Sequence, residues 1–206
     1  MDKFKFNFKI KSNFSRFPKR GASLRNQAGF TLVELGVVLG VGAAVGLAAL
    51  FIVPGMLANS NAKEFSDAVT SAVPRIQTAH KNRTSFNGLN TSVVANNGWI
   101  AENFIEKNTA TGVPTGNLIA PWDGGAITFT TSAPFTQVVV SVAGVDKNTC
   151  NALVTTMMGN DLFIAGNVGT GTPVKASSAT GVDLAVAGAR CSAAGAKTVS
   201  FTFARN

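Results

Sequence analysis

The chain has 206 residues, enough for one well-buried domain or for a domain plus a membrane segment. Its formal net charge of +8 points at first to nucleic acid or anionic membrane, but the charge is unevenly placed. Residues 1–29 carry eight basic side chains (Lys3, Lys5, Lys9, Lys11, Arg16, Lys19, Arg20, Arg25) against Asp2 alone, whereas residues 30–206 carry ten basic and nine acidic ones. The remainder is close to neutral, so nucleic-acid binding by a folded head has no electrostatic support. Tyrosine is absent, glycine numbers 21, and Ser, Thr, Asn and Ala are heavily used, which suits an exported structural protein better than a compact cytosolic enzyme. The cysteines are two, Cys150 and Cys191, and an even pair in an exported chain favours a disulfide.

After the basic segment, residues 35–58 hold no charge and are almost wholly apolar. A helix of about 20 such residues crosses a bilayer core, and the basic residues before it direct the C-terminal part outward. In a secretory signal peptide the cleavage site follows the apolar run, and Ser60-Asn61-Ala62 is a weak candidate there. A more distinctive cluster precedes the run: Gln27-Ala28-Gly29-Phe30-Thr31-Leu32-Val33-Glu34. It resembles the prepilin peptidase site of type IV prepilins, in which a glycine precedes a hydrophobic residue and a glutamate stands at the fifth mature position. Gly29, Phe30 and Glu34 fill those roles, which predicts a cut between Gly29 and Phe30.

Glu34 is costly where it stands, since a carboxylate costs about 2.5–3.5 kcal/mol at a helix centre in the bilayer and less near the end. No Lys or Arg lies between Arg25 and Lys63. Cleavage would supply a cation, the new α-amino group of Phe30, and the resemblance implies pairing of Glu34 with the amine of a neighbouring subunit. Gly36/Gly40 and Gly42/Gly46 are small-xxx-small pairs that let helices approach closely in an apolar medium. Pro54-Gly55 is expected to interrupt the helical hydrogen-bond ladder, giving a kink or a melted stretch where the membrane part ends.

From about Asn59 the pattern turns amphipathic. Phe65, Val69, Ala72, Val73, Ile76 and Ala79 form one helical stripe, with Pro74 inside it. The expectations that follow are a loop over Asn87–Gly98, a short helix over Trp99–Lys107, and turns through Pro114, Gly116 and Pro121-Trp122-Asp123-Gly124-Gly125. Ala126–Thr131 and Phe135–Val142 alternate as adjacent antiparallel strands do. Asp146–Met158 reads as a helix with Asp146 as N-cap, Leu162–Ala165 and Leu184–Ala187 as short strands, and Thr198–Phe203 as a half-buried final strand.

This organisation is similar to that of type IVb pilins, the class of the toxin-coregulated and bundle-forming pili. The likeness is specific in residues 27–58 and looser elsewhere, and Phe30 as first mature residue is more typical of the a class. It implies an α+β fold, with a long N-terminal helix packed on an antiparallel sheet and a Cys150–Cys191 disulfide clamping the C-terminal region. Residues 1–29 become a cleaved leader, 30–58 the membrane and polymerisation helix, and 59–206 the globular head. The likeness further implies a structural, non-enzymatic subunit, N-methylated at Phe30, that waits in the inner membrane with its head in the periplasm. It then joins an extracellular pilus for adhesion, aggregation or conjugation. The implied partners are further copies of itself, a prepilin peptidase, an inner-membrane assembly platform with its ATPase, and an outer-membrane secretin.

No catalytic constellation and no cofactor site is legible. The single histidine, His80, reads as a solvated residue at the end of the helical stripe. Gly166-Asn167-Val168-Gly169-Thr170-Gly171 lacks the Gly-Lys-Ser/Thr ending of a phosphate loop and reads as a flexible surface loop. Trp99 and Trp122 read as packing residues, with sugar or surface adhesion as the alternative. A minor pilin or a type II secretion pseudopilin is the competing member of the same class, although no acidic cluster matches the calcium site of major pseudopilins. From a different class, a membrane-anchored surface binding protein would keep residues 1–29.

Overall fold

The structure, a computed structural model, describes residues 31–205. The chain divides into two units, residues 1–44 and 45–206.

Helix α1 (Leu32–Ala79) runs unbroken past Pro54 and Pro74. Of the kink or melted stretch expected at Pro54-Gly55, the melted stretch is corrected. A proline deletes one N–H from the ladder, and the many bonds on either side hold the helix through that loss. Pro74 points outward, while its neighbours Val73 and Ile76 are fully buried and keep the helix seated. The predicted stripe is nearly as read: Phe65, Val69, Ala72, Val73 and Ile76 are buried, joined by Ala58, Ala62 and Ala68, but Ala79 is exposed.

This stripe packs in one core with a six-stranded antiparallel sheet of order β1-β2-β3-β4-β6-β5. The strands are β1 (Ile105–Lys107), β2 (Pro114–Ile119), β3 (Ala126–Ser132), β4 (Gln137–Val145), β5 (Ala165–Val168) and β6 (Lys197–Ala204). On β4, Val138, Val140 and Val142 are buried, and on β6 Val199, Phe201 and Phe203, while the residues between them face outward half-exposed. That period of two marks a sheet with one face in the core. Phe65 of α1 meets Phe201 at 6.4 Å between ring centroids.

Four local expectations are corrected. Asn87–Gly98 contains helix α2 (Thr91–Asn96), begun by Asn90, whose side chain accepts from the Val93 N–H at 3.0 Å. Trp99–Lys107 holds only a 3-10 turn at Glu102–Phe104 before β1. The turn-rich stretch at Pro114 is β2, where Gly116 (φ +88°) lies inward and a Cβ would approach Ser92 Oγ to 3.2 Å. Leu184–Ala187 begins a helix, α4 (Leu184–Ser192), capped by Asp183, which accepts from the N–H groups of Ala185 and Val186 at 3.0 Å each.

Of Leu162–Ala165, expected as a short strand, only Ala165 is in one, at the start of β5, and the remaining elements follow the reading closely. Asp146 caps helix α3 (Lys147–Leu153), which continues as a π-helical turn, Val154–Met158. The turn at Pro121–Gly125 docks its indole, with Trp122 Nε1 donating to the Ala143 carbonyl at 3.1 Å and the ring 5.8 Å from Phe65. Gly144 (φ +73°) is required there, because a Cβ would lie 2.8 Å from the Gly124 carbonyl oxygen.

Candidate assembly helix and the disulfide-bounded region

Of the residues predicted to act in processing, Gly29 and Phe30 lie outside the described residues. Glu34 lies in the first turn of α1, exposed, in a local capping motif. Its N–H donates to Thr31 Oγ1 at 3.2 Å, and that hydroxyl lies 3.5 Å from Glu34 Oε2. Thr31-Leu32-Val33-Glu34 is a Ser/Thr-x-x-Glu capping pattern, a signal readable in the sequence itself. A carboxylate in the first turn also faces the positive end of the helix dipole.

Beyond Glu34, every side chain described from Leu32 to Pro54 is exposed, Leu32 at 89 % and Leu50 at 70 % among them. Soluble monomers rarely show so long an apolar surface. An 18-residue stretch of this helix is apolar enough to cross a membrane by length and composition. A Cβ added at Gly36, Gly40, Gly42 or Gly46 would meet nothing within 4 Å, so each small residue has free space beside it.

The cysteines are joined. Cys150 on α3 and Cys191 on α4 are both buried, with Cα atoms 5.6 Å apart, and the bond closes a sequence separation of 41 residues. Two residues with no sequence signal secure the enclosed segment. Lys175, only 4 % exposed, donates from Nζ to the main-chain carbonyls of Met158 (3.0 Å) and Asn160 (3.4 Å). It thereby places a cation on the carbonyl end of the π-helical turn. Arg190 donates to Asn167 Oδ1 at 2.7 Å and the Val168 carbonyl at 3.1 Å. The glycine-rich run is accordingly no flexible loop from its start: Gly166–Val168 lie within β5, and a Cβ on Gly166 would meet the Met158 side chain at 2.8 Å.

His80 is a further correction, since it is 5 % exposed rather than solvated. It caps the end of α1 with its N–H on the Ile76 carbonyl at 3.1 Å, and its ring sits between Phe86 (5.4 Å) and Trp99 (6.0 Å). Among the described residues one ion pair forms, Lys107 with Glu102, and no group of three or more His, Cys, Asp or Glu is placed to hold a metal ion. Glu102 and Glu106 both sit below the ordinary carboxylate range, the first through its hydrogen bond to Lys107 and the second through those from Thr115 and Asn117.

An apolar helix whose second half is the spine of an α+β head defines a pilin-like structural subunit, and the sequence profile narrows the class. The Bundlin family matches residues 57–204, and the chain belongs to that family of type IVb pilins, which are not enzymes. No curated protein matches it in sequence. Among solved structures it is similar to the type IVb pilin from Salmonella typhi (TM-score 0.47, 16% identity, covering 71% of this chain and 98% of that one). It is also similar to TcpA, a type IV pilin from the Vibrio cholerae El Tor biotype (TM-score 0.41, 17% identity, covering 69% of this chain and 98% of that one).

Proposed function

We propose that the chain is the precursor of a major type IVb pilus subunit, cut between Gly29 and Phe30, N-methylated at Phe30 and polymerised through α1. The observation that carries this reading is the exposed, uncharged apolar surface of α1 directly after Glu34. Such a surface needs a non-aqueous partner, and two serve in turn: the inner membrane before assembly, and the same helices of other copies in the fibre. The free space beside Gly36, Gly40, Gly42 and Gly46 suits close helix contacts in that second setting.

Glu34 then has two successive duties. In the precursor its carboxylate rests on the Thr31 hydroxyl and the helix N-terminus. After the cut it pairs with the Phe30 amine of a neighbouring copy, which removes an unpaired charge from the packed core. Extraction from the membrane falls to an assembly platform with its ATPase, and exit to an outer-membrane secretin. Adhesion, aggregation or conjugation would follow from the finished fibre.

N-terminal sequencing of the protein in sheared surface fibres tests the reading. A first residue of N-methylated Phe30 is expected. A membrane-bound protein retaining residues 1–29, with no fibre, would overturn it.

A further inference from the structure

A cleft of about 350 Å³ opens at the end of α1, lined by His80, Arg83, Asn87, Val93, Asn97 and Trp99 among others. We propose that it binds a carboxylate-bearing sugar.

The argument begins with His80. Its Nδ1 lies 3.0 Å from the Ile76 carbonyl, an atom that can only accept, so Nδ1 carries the proton. Nε2 has no partner among the described residues, yet no buried side-chain nitrogen or oxygen is left unsatisfied. A ring 95 % buried therefore keeps one nitrogen at the accessible wall of the cleft, where it can accept from a ligand hydroxyl.

The other polar groups are similarly unspent. The Arg83 guanidinium makes no hydrogen bond or ion pair among the described residues, and no Asp or Glu lines the cleft. Asn97 uses its Nδ2 on the Val93 carbonyl at 2.8 Å, which leaves its oxygen free, and the Asn87 amide is uncommitted. Trp99, half-buried, offers an indole whose N–H also lacks a partner among the described residues.

Each feature suits one part of a sugar acid. A guanidinium takes a carboxylate in two parallel hydrogen bonds, amides and imidazole exchange hydrogen bonds with hydroxyls, and the indole offers an apolar surface to ring C–H groups. A volume of about 350 Å³ is at the lower end of small-molecule sites, which fits a single pyranose. The uncompensated positive charge selects an acid over a neutral sugar. The assignment is independent of fibre formation, since every residue lies on one chain.

The test uses the full-length chain in detergent micelles, titrated with glucuronic acid, N-acetylneuraminic acid, glucose or inorganic phosphate. His80 is the only histidine, so its imidazole proton resonances report the cleft alone. Saturable shifts are expected with a sugar acid at about millimolar Kd, and with glucose at least about tenfold more weakly. Arg83→Gln, at an exposed position, should weaken binding about tenfold, the loss of one charge-assisted pair, with thermal unfolding unchanged. Absence of saturable shifts, equal binding of glucose, indifference to Arg83→Gln, or phosphate binding as tightly as the sugar acids would each overturn the proposal.

Discussion

Thr31 and Glu34 close a cap at the start of α1, with the Glu34 N–H on the Thr31 hydroxyl at 3.2 Å and that hydroxyl 3.5 Å from the Glu34 carboxylate. One carboxylate therefore has a local role in the single chain and, in the proposed fibre, an intermolecular one.

Substitutions separate the two. Thr31→Ala removes the hydroxyl and should cost about 1 kcal/mol of helix stability, as loss of an N-cap does, while the fibre still forms. Glu34→Ala should leave the Gly29–Phe30 cut largely intact and abolish assembly, because the amine then has no counter-charge. Immunoblots for the shortened chain and counts of sheared fibres read the two effects. Normal fibre yield from Glu34→Ala would remove the intermolecular role.

The Cys150–Cys191 bond encloses β5 and the segments on either side of it, and ties α3 to α4. Closing a loop with a sequence separation of 41 should stabilise the head by roughly 3–4 kcal/mol through the unfolded chain. Replacing both cysteines by serine should lower the thermal unfolding midpoint in detergent by an amount that dithiothreitol reproduces in the parent chain. A reductant with no effect on the parent would show that the bond carries little of the stability.

What was legible in the sequence follows from where the signals lie. The stripe on α1 and the alternation on β4 and β6 repeat a single period against one core, so pattern alone placed them. The glycine-rich segments hid their structure because glycine has no hydrophobic signature. Gly116 in β2 and Gly166 in β5 stand at close approaches to Ser92 and to Met158, contacts visible only in three dimensions. Helix α4 was hidden differently: Leu184–Ala187 alone permits a strand, whereas Asp183 as cap and Ala187 and Cys191 four apart on the buried side decide for a helix. At the start of α1 the spacing singles out Glu34 for its role in the proposed fibre, and Thr31-x-x-Glu34 carries the capping signal. Lys175 was not legible, because a lone lysine in a loop gives no hint that its ammonium is buried against carbonyls.

Lys175 supports one such prediction. Removing the ammonium takes the donor from the buried Met158 carbonyl, while the Asn160 carbonyl keeps the Phe163 N–H at 3.2 Å. Lys175→Met keeps the stem and should destabilise the head by about 1–3 kcal/mol, the cost of leaving a buried polar group unbonded. Arg190→Ala offers a comparison, since that side chain is half-exposed and its guanidinium is not buried as the Lys175 ammonium is. Its cost in thermal unfolding should be the smaller of the two. The reverse order would mean that the clasp on β5 matters more than the buried cation.

Asp146 makes the fold sensitive to acid. Partial burial pushes its carboxyl pKa up, but donors outweigh that effect: the Thr149 hydroxyl at 2.6 Å, the Thr149 N–H at 3.1 Å and the Asn148 N–H at 2.7 Å. The net shift is downward. A carboxylate with its pKa lower in the folded than in the unfolded chain contributes stability that is complete above the unfolded value, about 3.9 for Asp. That contribution fades as pH falls below about 4 through the folded value, because the protonated acid loses its hold on the three donors. Asp146→Asn retains an acceptor at the cap and has no proton to take up at that site. Its unfolding free energy, followed by urea titration from neutral pH down to about pH 3, should start near that of the parent. It should then fall less steeply in the acid range, and identical slopes would show that the cap on α3 is not an acid-labile point of the head.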